Sequence, residues 1–129
     1  MAEKYSGKAH IKANAIDEKR NEYIFNLDLI IYQDNGLFIA HCPALVLASS
    51  GESFNESIQN FYEAFQLHVE YCVENGTLID DFKSHGWIIT KNHIVPPKFT
   101  EMVGNQDMKE ILDNNISFNR ISSPFAISF

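Results

Sequence analysis

Residues 36–74 read GLFIAHCPALVLASSGESFNESIQNFYEAFQLHVEYCVE, and they specify a strand, a turn and a long helix in succession. The first part predicts a strand over residues 37–41. Pro43 interrupts this strand, because proline cannot donate a hydrogen bond to a sheet ladder. The chain is expected to resume as a strand over residues 45–49 and then to enter the helix.

The helix has a start signal, a stop signal and a consistent apolar face. Ser53 and Glu56 fit the S-x-x-E capping box, which predicts a start near Phe54. Asn75 and Gly76 favour the left-handed backbone that ends a helix. Steps of three and four residues predict one wide buried stripe: Phe54, Ile58, Phe61, Tyr62, Phe65, Val69 and Cys72.

Apolar and polar residues alternate over residues 25–32, which predicts a half-buried strand, and Asn35-Gly36 predicts a hairpin turn after it. Weaker patterns predict further elements, in chain order: a strand at 10–16, a hairpin loop at 17–21, a short helix at 77–82, a fourth strand at 87–90, a short helix at 107–113 and a terminal strand at 125–129.

These elements predict an α+β fold in which one long helix packs on one face of an antiparallel sheet of three or four strands. The 129 residues favour a single α+β domain over residues 1–98, with residues 1–9 flexible. We call residues 99–129 the C-terminal extension. It is expected to hold a short helix and a terminal strand, which must pair with its own sheet or with a second copy of the chain.

The charge of the chain is unevenly distributed. The net charge is −7, but residues 21–82 contain ten acidic residues and no Lys or Arg. Such a surface repels nucleic-acid phosphates and attracts a basic partner, although solubility alone also explains acidity.

No apolar run reaches the roughly 20 residues that span a bilayer, and the first residues lack the apolar core of a secretory signal. A cytoplasmic protein without membrane contact, with Cys42 and Cys72 reduced, is therefore expected.

The sequence predicts no catalytic residues, no metal site and no cofactor. The five histidines form no H-x-H or H-x₃-H spacing, and no phosphate-binding glycine loop is present. His41 and Cys42 are neighbours on a strand, so they point to opposite faces and cannot act as a base and a nucleophile. A metal-dependent nuclease built on Asp28 remains an alternative, but the helix glutamates are expected to face away from it.

The block from Phe38 to Leu45, FIAHCPAL, is followed by Ser50-Gly51-Glu52-Ser53 and by a helix carrying Glu63-Ala64. This order resembles the HicB family, the antitoxins of HicA–HicB toxin–antitoxin modules. The resemblance spans roughly residues 23–74. It implies an incomplete ribonuclease-H-like fold without nuclease activity, and a partner that is a small basic ribonuclease toxin.

The chain departs from this family in two places. Val46 to Ser49 replace the usual Pro-Gly-Cys after the leucine. The C-terminal extension has four acidic and two basic residues, so the DNA-binding segment usual in the family is doubtful here.

The hypothesis is therefore a HicB-like antitoxin that masks a small basic, HicA-like toxin. The residues predicted to contact the partner are the acids and polar groups near the strand ends and along the helix: Asp34, Asn35, His41, Glu52, Glu56 and Glu63. A homodimer or higher homo-oligomer is expected. The alternative outside this class is an orphan structural homo-oligomer that assembles through its apolar terminal strand.

Overall fold

The computed structural model of the chain describes residues 10–12, 22–90 and 93–128. The elements in chain order are β1 (His10–Lys12), β2 (Glu22–Asp34), β3 (Leu37–Cys42), β4 (Leu47–Gly51), α1 (Phe54–Glu74), α2 (Leu78–Ser84), β5 (Ile88–Ile89), β6 (Ile94–Val95), α3 (Phe99–Met102), α4 (Gln106–Asp113) and β7 (Phe118–Ser128).

The main sheet has the strand order β1-β7-β2-β3-β4. β2, β3 and β4 form consecutive antiparallel hairpins, and β7 runs antiparallel to β2 from Phe118 beside Tyr32 to Ser128 beside Glu22. β1 runs parallel to β7 and pairs with its last residues. The C-terminal strand thus lies inside the sheet of its own chain.

α1 covers one face of the sheet because its buried residues form a single stripe. Ser53 caps the helix by accepting a hydrogen bond from the Glu56 N–H, and Glu56 accepts one from the Glu52 N–H. The buried positions are Ser57, Ile58, Phe61, Tyr62, Phe65, Val69 and Cys72. They pack on the odd-numbered residues of β2 and on Phe125 of β7, which form the main core.

The opposite face of the sheet carries a smaller core, formed by Ile30 of β2 with Met108 and Ile111 of α4. Beside it, Arg120 Nη2 donates to Asp28 Oδ2 at 3.2 Å, and the Arg120 guanidinium lies 4.0 Å from the centre of the Phe99 ring. The C-terminal extension therefore places helices on the face that α1 leaves free.

The fold confirms the α+β class, the antiparallel sheet with the predicted strands β2, β3 and β4, the long helix with its predicted apolar face, and the terminal strand. Asn35 and Gly36 both have positive φ, as the predicted hairpin turn requires. Among the helices that the structure describes, none combines the length and apolar character needed to cross a bilayer. The division at residues 98 and 99 and the likeness to ribonuclease H stay predictions.

Two predicted pairings are wrong. The sequence suggested that the first two strands form a hairpin, but β7 lies between β1 and β2. The predicted strand at 87–90 is not the fourth strand of the main sheet, because Ile88–Ile89 pairs with Ile94–Val95 in a separate two-stranded sheet. Residues 1–9, residues 13–16 of the first predicted strand, the loop predicted at 17–21 and the last residue of the predicted terminal strand lie outside the described residues.

Candidate functional site: an acidic cleft at His41

A cleft of about 390 Å³ opens between the β2–β3 hairpin and α4, and we call it the His41 cleft. Its lining residues are Tyr32, Gln33, Asp34, His41, Ala48, Asp107, Glu110, Ile111, Asn114 and Ile116. The hairpin and the C-terminal extension each contribute one side. The site therefore depends on tertiary packing between two distant parts of the chain.

His41 forms the buried part of the cleft. It stands opposite Ile30 in the β2–β3 register, so both side chains project to the face that α4 covers. Cys42 projects the other way, into the main core under α1. The predicted separation of His41 and Cys42 onto opposite faces is therefore confirmed.

The His41 imidazole has an unused polar atom. Its Nε2 is buried without a hydrogen-bond partner among the described residues, and the nearest acidic atom is Asp107 Oδ2, at 3.5 Å. Burial lowers the pKa of His41 below its ordinary value of 6.5, and Asp107 partly opposes this shift. A neutral imidazole with its proton on Nδ1 offers Nε2 as a hydrogen-bond acceptor.

The pKa of the Tyr32 hydroxyl reflects the negative charges around the cleft. Burial raises its pKa, and so do the charges of Asp34, Asp107 and Glu110. Three carboxylates thus act on one point at the cleft wall. Among the described residues that line the cleft, none is Lys or Arg. The cleft therefore has the negative charge and the acceptor atoms that a cationic side chain requires.

The six residues predicted from the sequence fall in three places. Asp34 and His41 line the cleft, and Asn35 is exposed in the turn beside it. Glu52 and Glu56 lie at the start of α1, where the Glu52 backbone N–H donates a hydrogen bond to the Glu56 carboxylate. Glu63 lies on the outer face of α1, at a shallow groove.

The sequence did not identify Asp107 and Glu110 as site residues. One signal was present: a helix was predicted over 107–113, and positions 107 and 110 lie on one face of such a helix. The sequence could not show that this face meets the β2–β3 hairpin.

Cys42, Cys72 and Asp28 are not arranged for nucleophilic or two-metal chemistry. Burial raises the pKa of the Cys42 thiol to about 12, and burial also raises the pKa of Cys72. Both thiols are therefore protonated at neutral pH, which does not suit a nucleophile. Asp28 is paired with Arg120 on the face opposite α1, so Glu56 and Glu63 do not converge on it.

A second cluster of donor atoms lies where α1 meets α2. His68 and Cys72 of α1 approach Asp81 of α2, and one donor atom from each lies within 4.8 Å of the others. The absence of a metal site was predicted from spacings between histidines. His68 and Cys72 have the same spacing as H-x₃-H, but the second residue is a cysteine, so a search for pairs of histidines misses this pair.

Comparisons of the chain with protein-family models, with curated proteins and with solved structures find no match.

Proposed function

We propose that this protein is a binding module of the HicB antitoxin type, which holds a small basic ribonuclease toxin in an inactive state and performs no catalysis itself. In this proposal the His41 cleft receives a Lys or Arg side chain of the toxin. Masking requires only that the partner's active surface be covered. The proposal places both proteins in the cytoplasm.

The observation that carries the proposal is the combination of acceptors at the cleft. The Nε2 atom of His41 has no hydrogen-bond partner among the described residues. Asp34, Asp107 and Glu110 all raise the pKa of Tyr32, so their charges reach the same space. A guanidinium or ammonium group supplies several donors and a positive charge, which matches this set.

The wider surface favours encounter with a basic protein. Residues 22–90 contain ten acidic residues and one lysine, Lys83. Glu52, Glu56 and Glu63 are exposed at the start and along the outer face of α1. We assign them a role in steering, since separated surface charges mainly accelerate association. Asp34 and His41 would make the direct contacts, together with Asp107.

The sequence resemblance supplies the identity of the partner in this proposal. His41, Cys42 and Pro43 belong to the block that resembles the HicB pattern, and His41 is the member of that block that lines the cleft. The proposal includes no DNA contact. In the C-terminal extension, β7 belongs to the main sheet, and α4 has three acidic residues against Lys109.

The test is a titration with the small basic protein encoded by the adjacent reading frame. Calorimetry at low ionic strength is expected to show binding at micromolar concentration or tighter, and binding is expected to weaken as salt rises. Co-expression is expected to relieve the growth arrest that the partner causes alone. An adjacent frame without a small basic protein, or no binding at micromolar concentration at low salt, would sink the proposal.

A further inference from the structure

The junction of α1 and α2 brings three metal-ligating side chains together. His68 Nε2 lies 2.9 Å from Asp81 Oδ2 and 3.8 Å from Cys72 Sγ. His68 and Cys72 are one helical turn apart on α1, so they share one face. Asp81 reaches the same point from α2. We call these three residues the α1–α2 cluster.

We propose that the α1–α2 cluster binds a divalent transition-metal cation of the Zn²⁺ class, with three protein ligands. Imidazole, thiolate and carboxylate are the side-chain ligands of Zn²⁺ in proteins. The Cys72 thiol, protonated in the absence of metal, would release its proton to solvent when the ion binds. A set that includes a thiolate excludes Mg²⁺ and Ca²⁺, which prefer oxygen ligands. The donor set therefore points to the chemical class of the ion.

The distances fit such an ion after small movements. Zn²⁺ bonds of about 2.0–2.3 Å in a tetrahedron place donor atoms about 3.3–3.6 Å apart. The two separations, 2.9 Å and 3.8 Å, lie on either side of this range. The Cys72 Sγ and an Asp81 carboxylate oxygen lie within 4.8 Å of each other, so binding would require the partly exposed Asp81 side chain to adjust its position.

The backbone around the cluster is firmly held. The Thr77 N–H donates to the Cys72 carbonyl at 2.8 Å, which closes the turn between the helices. Leu78 and Phe82 anchor α2 in the main core. Ligands on packed helices keep their positions better than ligands on loops. A cation here would tie α2 to α1 and so stabilise the junction.

The cluster is also accessible. The side chains of His68 and Asp81 are 25% and 23% exposed, whereas Cys72 is buried. His85 lies next to Asp81, with Nδ1 3.9 Å from Asp81 Oδ2 and 2.8 Å from the Asp81 carbonyl oxygen.

The test uses the full chain, purified without a histidine tag and freed of metal with a chelator. Titration with Co²⁺ is expected to produce a thiolate-to-cobalt charge-transfer band, and added Zn²⁺ is expected to remove it by displacing the cobalt. Zn²⁺ is also expected to raise the unfolding temperature.

Cys72→Ser and His68→Gln are the decisive variants. Both are expected to lower the affinity for Co²⁺ by more than about 100-fold, since even the loss of an outer-shell partner costs 10- to 100-fold. Cys72→Ser should also abolish the charge-transfer band. Cys42→Ala and His93→Gln are the matched controls and should bind as the wild type does. Circular dichroism of the metal-free variants confirms that they are folded.

The proposal is overturned if the wild type shows no charge-transfer band at millimolar Co²⁺. It is also overturned if Cys72→Ser binds as tightly as the wild type, or if His93→Gln loses affinity as strongly as His68→Gln. These outcomes are independent of the toxin titration, because no residue of the α1–α2 cluster lines the His41 cleft.

Discussion

His41 Nε2 on β3 lies 3.5 Å from Asp107 Oδ2 on α4. This contact joins the hairpin that carries the HicB-like block to the C-terminal extension. It also places a buried imidazole, with no hydrogen-bond partner for Nε2 among the described residues, next to a partly exposed carboxylate. The proposed binding role and the pH dependence of the protein both depend on this pair.

Acidification is expected to destabilise the folded protein through His41. Because burial lowers the pKa of His41 below 6.5, the unfolded chain takes up a proton more readily than the folded chain. The free energy of unfolding therefore falls as the pH drops from 6.5 toward the folded-state pKa, and this group has no effect above that window. Urea denaturation between about pH 7.5 and pH 5 measures the slope.

His41→Gln is expected to flatten that slope. His93→Gln is the matched control, because His93 is exposed and does not line the His41 cleft. An equal slope in His41→Gln and the wild type would show that His41 is not the titrating group.

A larger residue at position 51 is expected to destabilise the folded protein, because the first turn of α1 lies directly against Gly51. A Cβ at this position would lie 2.6 Å from the Ser57 backbone nitrogen and 2.8 Å from the Glu56 carbonyl carbon. Gly51→Ala must displace the first turn of α1 and is expected to cost about 1–3 kcal/mol. Gly104→Ala is the control, since no atom lies within 4 Å of its Cβ. Chemical denaturation of both variants measures the difference, and equal stabilities would contradict this close approach.

Substitutions in the capping box are expected to show whether Glu56 stabilises α1 through its hydrogen bond or through its charge. Ser53→Ala removes the acceptor for the Glu56 N–H and is expected to cost about 1 kcal/mol, whereas Ser53→Asp keeps it. Glu56→Gln keeps an acceptor for the Glu52 N–H but removes the charge. It should preserve the unfolding temperature and slow association with a basic partner. A large loss of stability in Glu56→Gln would show that the charge itself holds the helix.

Phe125 is expected to be essential for stability, although it lies near the end of the described chain. Its ring packs against Phe61, Tyr62 and Phe65 of α1 and is fully buried. Phe125→Ala is expected to cost about 3–5 kcal/mol, as for other buried aromatic residues. Leu67→Ala, on the exposed face of α1, should change the free energy of unfolding by less than about 0.5 kcal/mol. Similar costs for the two variants would mean that β7 is not part of the core.

The central unit of the fold could be predicted because several local signals agree. For α1, the Ser53 cap, the apolar stripe and the Asn75-Gly76 stop signal all specify one helix, and Gly76 has the positive φ that such an end favours. Strand pairing was less predictable, because an alternating pattern identifies a strand but not its neighbour. The insertion of β7 between β1 and β2 depends on contacts between residues far apart in sequence.

Propensity identified a strand next to Trp87, which is β5, but could not show that this strand pairs with β6 rather than with the main sheet. The Trp87 ring packs between Phe25 and Phe82, and its indole N–H donates to the Ala44 carbonyl at 2.7 Å. The position of Trp87 is therefore set by the Pro43 turn rather than by the main sheet. Half of the His41 cleft was missed for a similar reason, since Asp107 reaches it only through the docking of α4.

The most direct test of the account is the affinity of the basic partner for a variant that lacks the cleft charges: Asp34→Asn, Asp107→Asn and Glu110→Gln together. The control removes the same number of charges elsewhere: Glu70→Gln, Glu74→Gln and Asp80→Asn. Calorimetric titration at fixed ionic strength is expected to show that the cleft variant binds at least about tenfold more weakly than the control. Equal affinities for the two variants would contradict the proposal that the His41 cleft is the binding site.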